Sequence, residues 1–340
     1  MRINITKKTK ELEQEVFFHL FTEFINNSFS GIRRKRDGSR LREGTVWNYV
    51  TLRNVMQQFC EKKNFRIRLF IDSNLTQRER EKAAKYWLKF YTKFVAYLYN
   101  DRACFDNVVG FYIKNLKAFM NYLVNEKHIM VGTFHKLFYC EKQEIPIIVL
   151  SPEQLNYLIY DEELNKNIDD NLKKIRDIFV FGCTVALRIS DLLALTGKNI
   201  FLKNNHYYLQ QVKSKKTHTY TSILLPDYAV EILKRYYNKN SINKTLFPPM
   251  SFSRFNILLK RFSQCIPNNY EIKKIREKQG KQIVIYKDKA SKTHFTLADM
   301  VTAHTMRRTA ITNMLSLGMP ENIVRKISGH APLMSVGSLA

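Results

Sequence analysis

Four short stretches of this sequence place cations and imidazoles where they could work on a phosphate. In Ala186–Leu195, ALRISDLLAL, Arg188 interrupts an apolar helical run and Asp191 follows at the third residue. A guanidinium in apolar surroundings needs a carboxylate or a phosphate as partner. The residues alone leave two readings open: a structural Arg188–Asp191 pair, or a guanidinium that Asp191 holds ready for a phosphate. In Lys213–Pro226, KSKKTHTYTSILLP, Lys213, Lys215 and Lys216 sit at a strand turn. Such a run is ordinarily a solvated tip, yet a hairpin can also deliver an ammonium to a nucleic-acid backbone. In Thr302–Thr312, TAHTMRRTAIT, His304 and Arg307 are three apart and share a helix face. His304 falls at the helix start, where N–H groups favour an anion. A proton donor beside a bidentate cation suits a phosphate in a pentacoordinate transition state. In Ile327–Pro332, ISGHAP, His330 follows a helix-ending glycine. A lone histidine of that kind is ordinarily structural.

The elements that must position these residues can be read from periodicity and punctuation. The first half reads as helical. From Thr45 to Lys63, Val46, Tyr49, Leu52, Met56 and Phe59 recur every three or four positions, and Ile113, Leu116, Met120 and Leu123 repeat that spacing. Tyr86–Tyr99 is so aromatic that a largely buried helix is expected. Between the first helices lies the glycine-bounded loop Gly31–Gly44, GIRRKRDGSRLREG, crowded with Arg33, Arg34, Lys35, Arg36, Arg40 and Arg42. It is either a solvated loop or a phosphate-contacting one. A boundary falls near Cys140–Leu150, after which Ser151 serves as an N-cap and Pro152 takes the first helical position.

The second half mixes types. Leu172–Leu195 reads as helix with a break around Gly182. Ile200–Leu202 and Tyr207–Val212 read as strands joined at Asn204-Asn205, with a third strand at Tyr220–Leu225 and another short one around Gln282–Tyr286. His304–Leu317 and Pro320–Ser328 read as helices closed by Gly318 and Gly329.

Composition narrows the partners. The 340 residues carry 56 Lys+Arg against 30 Asp+Glu, a formal net charge of +26. That points to a polyanion, nucleic acid first and an anionic membrane surface second. With 45% hydrophobic and 13% aromatic residues the chain can build a real core, which excludes a disordered or low-complexity scaffold. No apolar stretch reaches membrane-spanning length, and the N-terminal residues do not resemble a signal peptide. The five cysteines are scattered without a C-x-x-C pair, so neither a disulfide framework nor a structural metal is expected.

Taken in order, Arg188, the lysine hairpin, His304-x-x-Arg307 and Gly329-His330 resemble the catalytic domain of the tyrosine recombinases, the phage-integrase family. The likeness is strongest to integrases of Bacteroidetes mobile elements, with their R-I-S-D, T-x-H-x-x-R-R-T and I-x-G-H signatures, and it covers nearly the whole chain. The resemblance implies a mainly α fold with a small antiparallel β-sheet (α+β). It implies a helical, SAM-like core-binding domain over 1–145 and a recombinase catalytic domain over 146–340. It also implies a bacterial, cytoplasmic, nucleoid-associated enzyme that clamps double-stranded DNA and needs no metal and no cofactor. In such enzymes a tyrosine attacks a phosphate, forms a 3′-phosphotyrosyl link and releases a 5′-hydroxyl, and exchange proceeds through a Holliday junction. By that match Arg188 and Arg307 would brace the phosphate, with Asp191 orienting Arg188. Lys216 would protonate the leaving oxygen, with Lys213 and Lys215 still open for that role. His304 would assist proton transfer and His330 would hydrogen-bond the phosphate. Arg33, Arg34, Lys35, Arg36, Lys213, Lys215 and Arg308 would bind DNA. A tetramer on paired sites, a monomer alone and an accessory DNA-bending protein are the implied partners.

One departure stands out. The family's tyrosine follows the Gly-His by nine or so residues; here that place is near Leu339, and the last tyrosine anywhere is Tyr286. No nucleophile is assigned, and the chain as written is expected not to cleave DNA. A shortened or frame-shifted product, an altered end and a natural binding-only variant all fit. A non-catalytic protein that occupies recombination or promoter sites is the alternative function. A type IB topoisomerase fits the motifs and length less well, and no RNP-type or GXXG element supports RNA.

Overall fold

The computed structural model describes residues 11–12, 14–70, 76–129, 134–210, 222–238 and 241–329. The fold is mainly helical with small antiparallel sheets. The chain divides into two units, residues 1–144 with 275–284, and residues 145–274 with 285–340.

The first unit is built on α1 (Gln14–Ser30), α2 (Glu43–Lys62), α3 (Gln77–Asn100) and α4 (Asp106–Asn125). The periodic residues Val46, Tyr49, Leu52, Met56 and Phe59 of α2 are all buried, as the three-and-four spacing requires. Phe17, Phe21 and Phe24 of α1 meet Phe119 of α4, with Phe21 and Phe119 stacked at 4.0 Å between centroids. A short pair, β1 (Glu11–Leu12) with β2 (Leu69–Phe70), ties the start of this unit to the end of α2's loop. The helix α3 departs from expectation. It starts at a Thr76–Glu79 capping box, well before Tyr86, and is amphipathic. Trp87, Phe90 and Phe94 are buried, while Leu88 is 65% exposed. Aromatic content alone conceals which face each ring occupies.

The second unit centres on α7 (Asp170–Val185), preceded by α5 (Pro152–Tyr160) and α6 (Glu162–Asn167). Ser151 caps α5 in a reciprocal box with Gln154, and Pro152 fills the first position. Asp169 caps α7 by accepting from Leu172 N at 2.9 Å. The expected break at Gly182 is not there. Helix α7 runs through it and ends at Ala186, which takes a left-handed conformation (φ 55°, ψ 18°). Four-residue α8 (Ile189–Leu192) follows. Strands β3 (Ile200–Lys203), β4 (His206–Gln210) and β5 (Ser222–Leu224) form an antiparallel sheet in that order, turning at Asn204 (φ 49°) and Asn205 (φ 58°). Two consecutive left-handed residues are what a type I′ hairpin needs, and asparagine tolerates them.

Around α7 pack α9 (Asp227–Tyr236), α10 (Phe252–Phe262) and α12 (Ala303–Ser316), with α11 (Leu297–Met300) before α12 and α13 (Glu321–Ser328) after it. Within α7, Asp177 is buried and accepts from Arg176, from Arg235 Nη1 at 3.0 Å and from the Tyr236 hydroxyl at 2.9 Å. A buried carboxylate is stable only with such a set of donors. Strand β6 (Glu271–Ile272) pairs with β9 (Phe295–Thr296), and β7 (Lys274–Lys278) with β8 (Lys281–Ile285). The strand expected near Gln282–Tyr286 is thus β8, and its partner was not anticipated. Within the first unit, the hairpin tip donates Gln279 N and Gly280 N to buried Asp106 at 2.7 and 3.1 Å, and Asp106 also accepts from the Tyr99 hydroxyl at 2.8 Å.

Candidate functional site

The helix end at Ala186 organises the second unit's candidate site. Left-handed geometry at Ala186 ends α7 and redirects the chain. Arg307 Nη1, on α12, donates to the Ala186 carbonyl at 3.0 Å. Gly182 makes the approach feasible. A Cβ there would lie 2.6 Å from Met306 Sδ and 3.2 Å from Met306 Cβ, so the glycine lets α12 settle this close to α7 without moving the Met306 side chain.

After the reversal, Arg188 is the N-cap of α8, not an interior helical residue as the apolar run suggested. Its carbonyl accepts from Asp191 N and Leu192 N, both at 2.8 Å. Asp191 thus sits in the first turn of the helix that Arg188 opens. Asp191 is buried, and Ser190 Oγ donates to its Oδ1 at 3.3 Å.

Arg307 is 2% exposed. Burial pulls its pKa down to about 10; Arg188 pushes in the same direction and Asp191 opposes both. It therefore stays cationic at neutral pH. Arg188, Asp191 and Arg307 thus form one electrostatic group from two chain segments. His304 stands one turn before Arg307 and is exposed, and Arg308 is half-buried. Thr302 starts α12 by donating its N–H to Thr305 Oγ1 at 3.0 Å. Lys213, Lys215, Lys216, His330 and Leu339 lie outside the described residues.

In the first unit, Arg33 is tied down. Its Nε donates to Glu126 Oε1 at 3.0 Å and its guanidinium sits 4.5 Å from the Phe24 ring centroid. Arg34, Lys35 and Arg36 are exposed in the loop after α1, where Arg34 pairs with Arg40 in an isolated bridge. Residues that sequence reasoning missed are Ala186, Gly182 and Ser190. Only Gly182 left a signal, a glycine inside an apolar helical run, and it was read as a break. Among the described residues no group of three or more His, Cys, Asp or Glu is placed to hold a metal, and no helix is long and apolar enough to cross a membrane.

A two-unit, mainly helical fold with a buried arginine beside a second arginine and a carboxylate is an arrangement suited to a phosphate. Residues 160–338, just over half of the chain, match the phage integrase family, and the chain belongs to it. Its fold is similar to that of the Tn1549 transposon integrase in complex with transposon right end DNA (TM-score 0.56, 13% identity, covering 93% of this chain and 91% of that one). It is also similar to a lambda integrase dimer bound to a COC′ core site (TM-score 0.54, 11% identity, 94% and 96%). A lambda integrase tetramer bound to a Holliday junction gives TM-score 0.57 at 11% identity, over 97% and 77% of the two chains. At these identities the likeness is one of fold. No curated protein matches the chain in sequence.

Proposed function

We propose that this chain is a site-specific DNA recombinase of the integrase type, related to Bacteroidetes mobile-element integrases, that binds duplex DNA at recombination sites. The observation that carries the reading is the buried Arg307 guanidinium, set by the Ala186 carbonyl within electrostatic reach of Arg188. Two cations with Asp191 as one counter-charge leave a net positive group that suits a further anion. A scissile phosphate is the anion that family membership supplies. In this reading Arg188 and Arg307 brace its oxygens and Asp191 orients Arg188. His304 and His330 handle its protons and hydrogen bonds. Lys216, or Lys213 or Lys215 in its place, protonates the leaving 5′ oxygen. Strands break and rejoin through a 3′-phosphotyrosyl link wherever a tyrosine is supplied. Residues 1–145 serve as the core-binding domain and 146–340 as the catalytic one. Arg33, Arg34, Lys35, Arg36 and Arg308 contribute to DNA affinity, in a tetramer on paired sites in the bacterial cytoplasm, with an accessory DNA-bending protein where bending is needed.

A second reading is favoured by one specific observation. These 340 residues hold no tyrosine after Tyr286. On that ground the polypeptide they form occupies sites without cutting them. The test is incubation with a pool of nicked suicide duplexes, followed by denaturing electrophoresis. The expected result is salt-sensitive complexes and no denaturant-resistant adduct. An adduct would overturn the inactivity, and absence of any duplex binding would overturn the recombinase reading itself.

A further inference from the structure

The first unit exposes an aromatic side chain that neither its core nor the recombinase reading uses. The periodicity that buries Val46, Tyr49 and Leu52 of α2 puts Trp47 on the opposite face, with exposed Thr51 and Asn54. Trp47 is 58% exposed, whereas Trp87, the other tryptophan of the chain, is fully buried. The Trp47 ring meets Phe29, itself 41% exposed near the end of α1, edge to face at 5.7 Å between centroids and 76° between planes. Ile32, three residues after Phe29, is 76% exposed. Single exposed apolar side chains are ordinary, but two rings packed on each other at the surface mark a contact face.

The loop between α1 and α2 decides what that face can meet. Gly31 (φ 79°) turns the chain out of α1, and a Cβ there would lie 2.7 Å from Arg40 Nε, so the Arg40 guanidinium lies against the backbone that links Phe29 to Ile32. The loop holds its own shape. Lys35 N donates to Ser39 O at 2.9 Å, Arg34 Nη1 to Gly38 O at 3.1 Å, and Ser39 N to Asp37 Oδ1 at 2.9 Å. Lys35, Arg36 and Arg40 are exposed on it, and Gly31–Gly44 carries six cations against two carboxylates. The aromatic pair is thus flanked by fixed positive charge. A second copy of the chain would set that charge against itself. A nucleic acid instead brings phosphates to the cations and base faces to the rings.

We propose that Trp47, backed by Phe29, stacks on a base of bound DNA at a step where the duplex is unpaired or bent, while the Gly31–Gly44 loop holds the adjacent backbone. The inference takes its partner from the recombinase reading and adds to it a contact that carries no charge. Every base has a face to stack on, so such a contact responds less to base identity than to how readily a base leaves its stack. The element therefore selects distorted duplex over regular duplex.

The test titrates the full chain with a short duplex of mixed sequence, either fully paired or carrying one central mismatch. Tryptophan emission follows Trp47, because Trp87 is sealed in the core. The mismatched duplex is expected to quench that emission saturably and to bind several-fold more tightly than the paired one. Trp47→Ala is expected to abolish the quenching, to lower affinity for the mismatched duplex by roughly tenfold and to erase the preference. Its slope of log affinity against log salt should match the wild type, because an indole neutralises no phosphate. Trp47→Phe should restore most of the affinity. The substituted position is exposed, and a thermal melt checks that both variants fold. Salt-sensitive duplex binding with affinity and preference unchanged in Trp47→Ala would overturn the proposal and leave the recombinase reading standing. Failure of the wild type to bind any duplex would overturn both. A change in the sedimentation of the free protein on Trp47→Ala, with DNA affinity unchanged, would overturn the proposal in favour of a contact between copies.

Discussion

Arg307 Nη1 donates to the carbonyl of Ala186 at 3.0 Å, and that carbonyl is available because Ala186 ends α7 in a left-handed conformation. A non-glycine residue at positive φ carries a cost of roughly 1–2 kcal/mol. The backbone strain and the buried cation therefore sit side by side. A left-handed C-cap is a common helix ending, and here it leaves the Ala186 carbonyl where the buried cation reaches it.

Substituting Arg307 by Met should separate its part in stability from its part in DNA binding. Methionine relieves the desolvation of the guanidinium and its repulsion with Arg188. It also leaves the Ala186 carbonyl without this donor and buried Asp191 with less counter-charge, so the opposing terms are expected to change stability by no more than about 1–3 kcal/mol. Duplex affinity should fall at the same time. Chemical denaturation and fluorescence anisotropy on the same preparation read both quantities. A variant that loses stability without losing affinity would make Arg307 a structural residue.

Gly182 should tolerate little. Alanine gains about 1 kcal/mol of helix propensity but must push the Met306 side chain aside, so the two terms nearly cancel. Valine adds bulk against Met306 and Leu192 and is expected to cost about 1–3 kcal/mol by overpacking. It should also shift α12, and with it the Arg307–Ala186 contact. Stability measured for the two variants, with duplex affinity alongside, tests the role of the close approach.

Asp177 offers a contrast in which charge is structural. Its carboxylate serves Arg176, Arg235 and Tyr236. Asp177→Ala leaves buried Arg176 without its carboxylate and is expected to cost about 3–5 kcal/mol. Duplex affinity at a temperature where the variant stays folded should be unaffected. Denaturant midpoints and anisotropy check the pair of outcomes.

His135 predicts a pH dependence. In the unfolded chain its pKa is the ordinary 6.5; in the fold, burial lowers it to about 4. Between those values the unfolded state binds the proton and the folded state does not, so stability falls as pH drops from 6.5 toward 4. The loss attributable to this ring is up to about 3 kcal/mol. The stability difference between the wild type and His135→Gln should shrink by that amount from pH 7 to pH 4. An unchanged difference would mean that His135 takes its proton in the fold.

Much of this was legible in the residues, and the misses have physical causes. The Asn204-Asn205 turn and the Ser151-Pro152 helix start are local: each rests on dihedral preference and capping, which neighbours in sequence decide. The end of α7 is not local. Gly182 looks like a breaker in isolation, but packing against Met306 holds it in the helix, and the reversal falls on an alanine that no propensity would choose. Strand β7, Lys-Ile-Arg-Glu-Lys, was hidden because its charged residues mask any alternation; its hairpin is pinned by Asp106, far away in sequence. The grouping of Arg188, Asp191 and Arg307 was foreseen only through motif order. Nothing in the periodicity reveals that an Arg307 guanidinium would reach the Ala186 carbonyl.

The most direct test of the central claim is the salt dependence of duplex binding, measured for the wild type and for Arg188→Gln, Arg307→Gln. If these arginines brace a DNA phosphate, the wild type binds tightly at low salt with a steep loss as salt rises. The double variant should then show a slope of log affinity against log salt that is less steep by about 1, because the two arginines share one phosphate. Identical slopes and affinities in the two proteins would contradict the account, because the arginine group would then take no part in holding DNA.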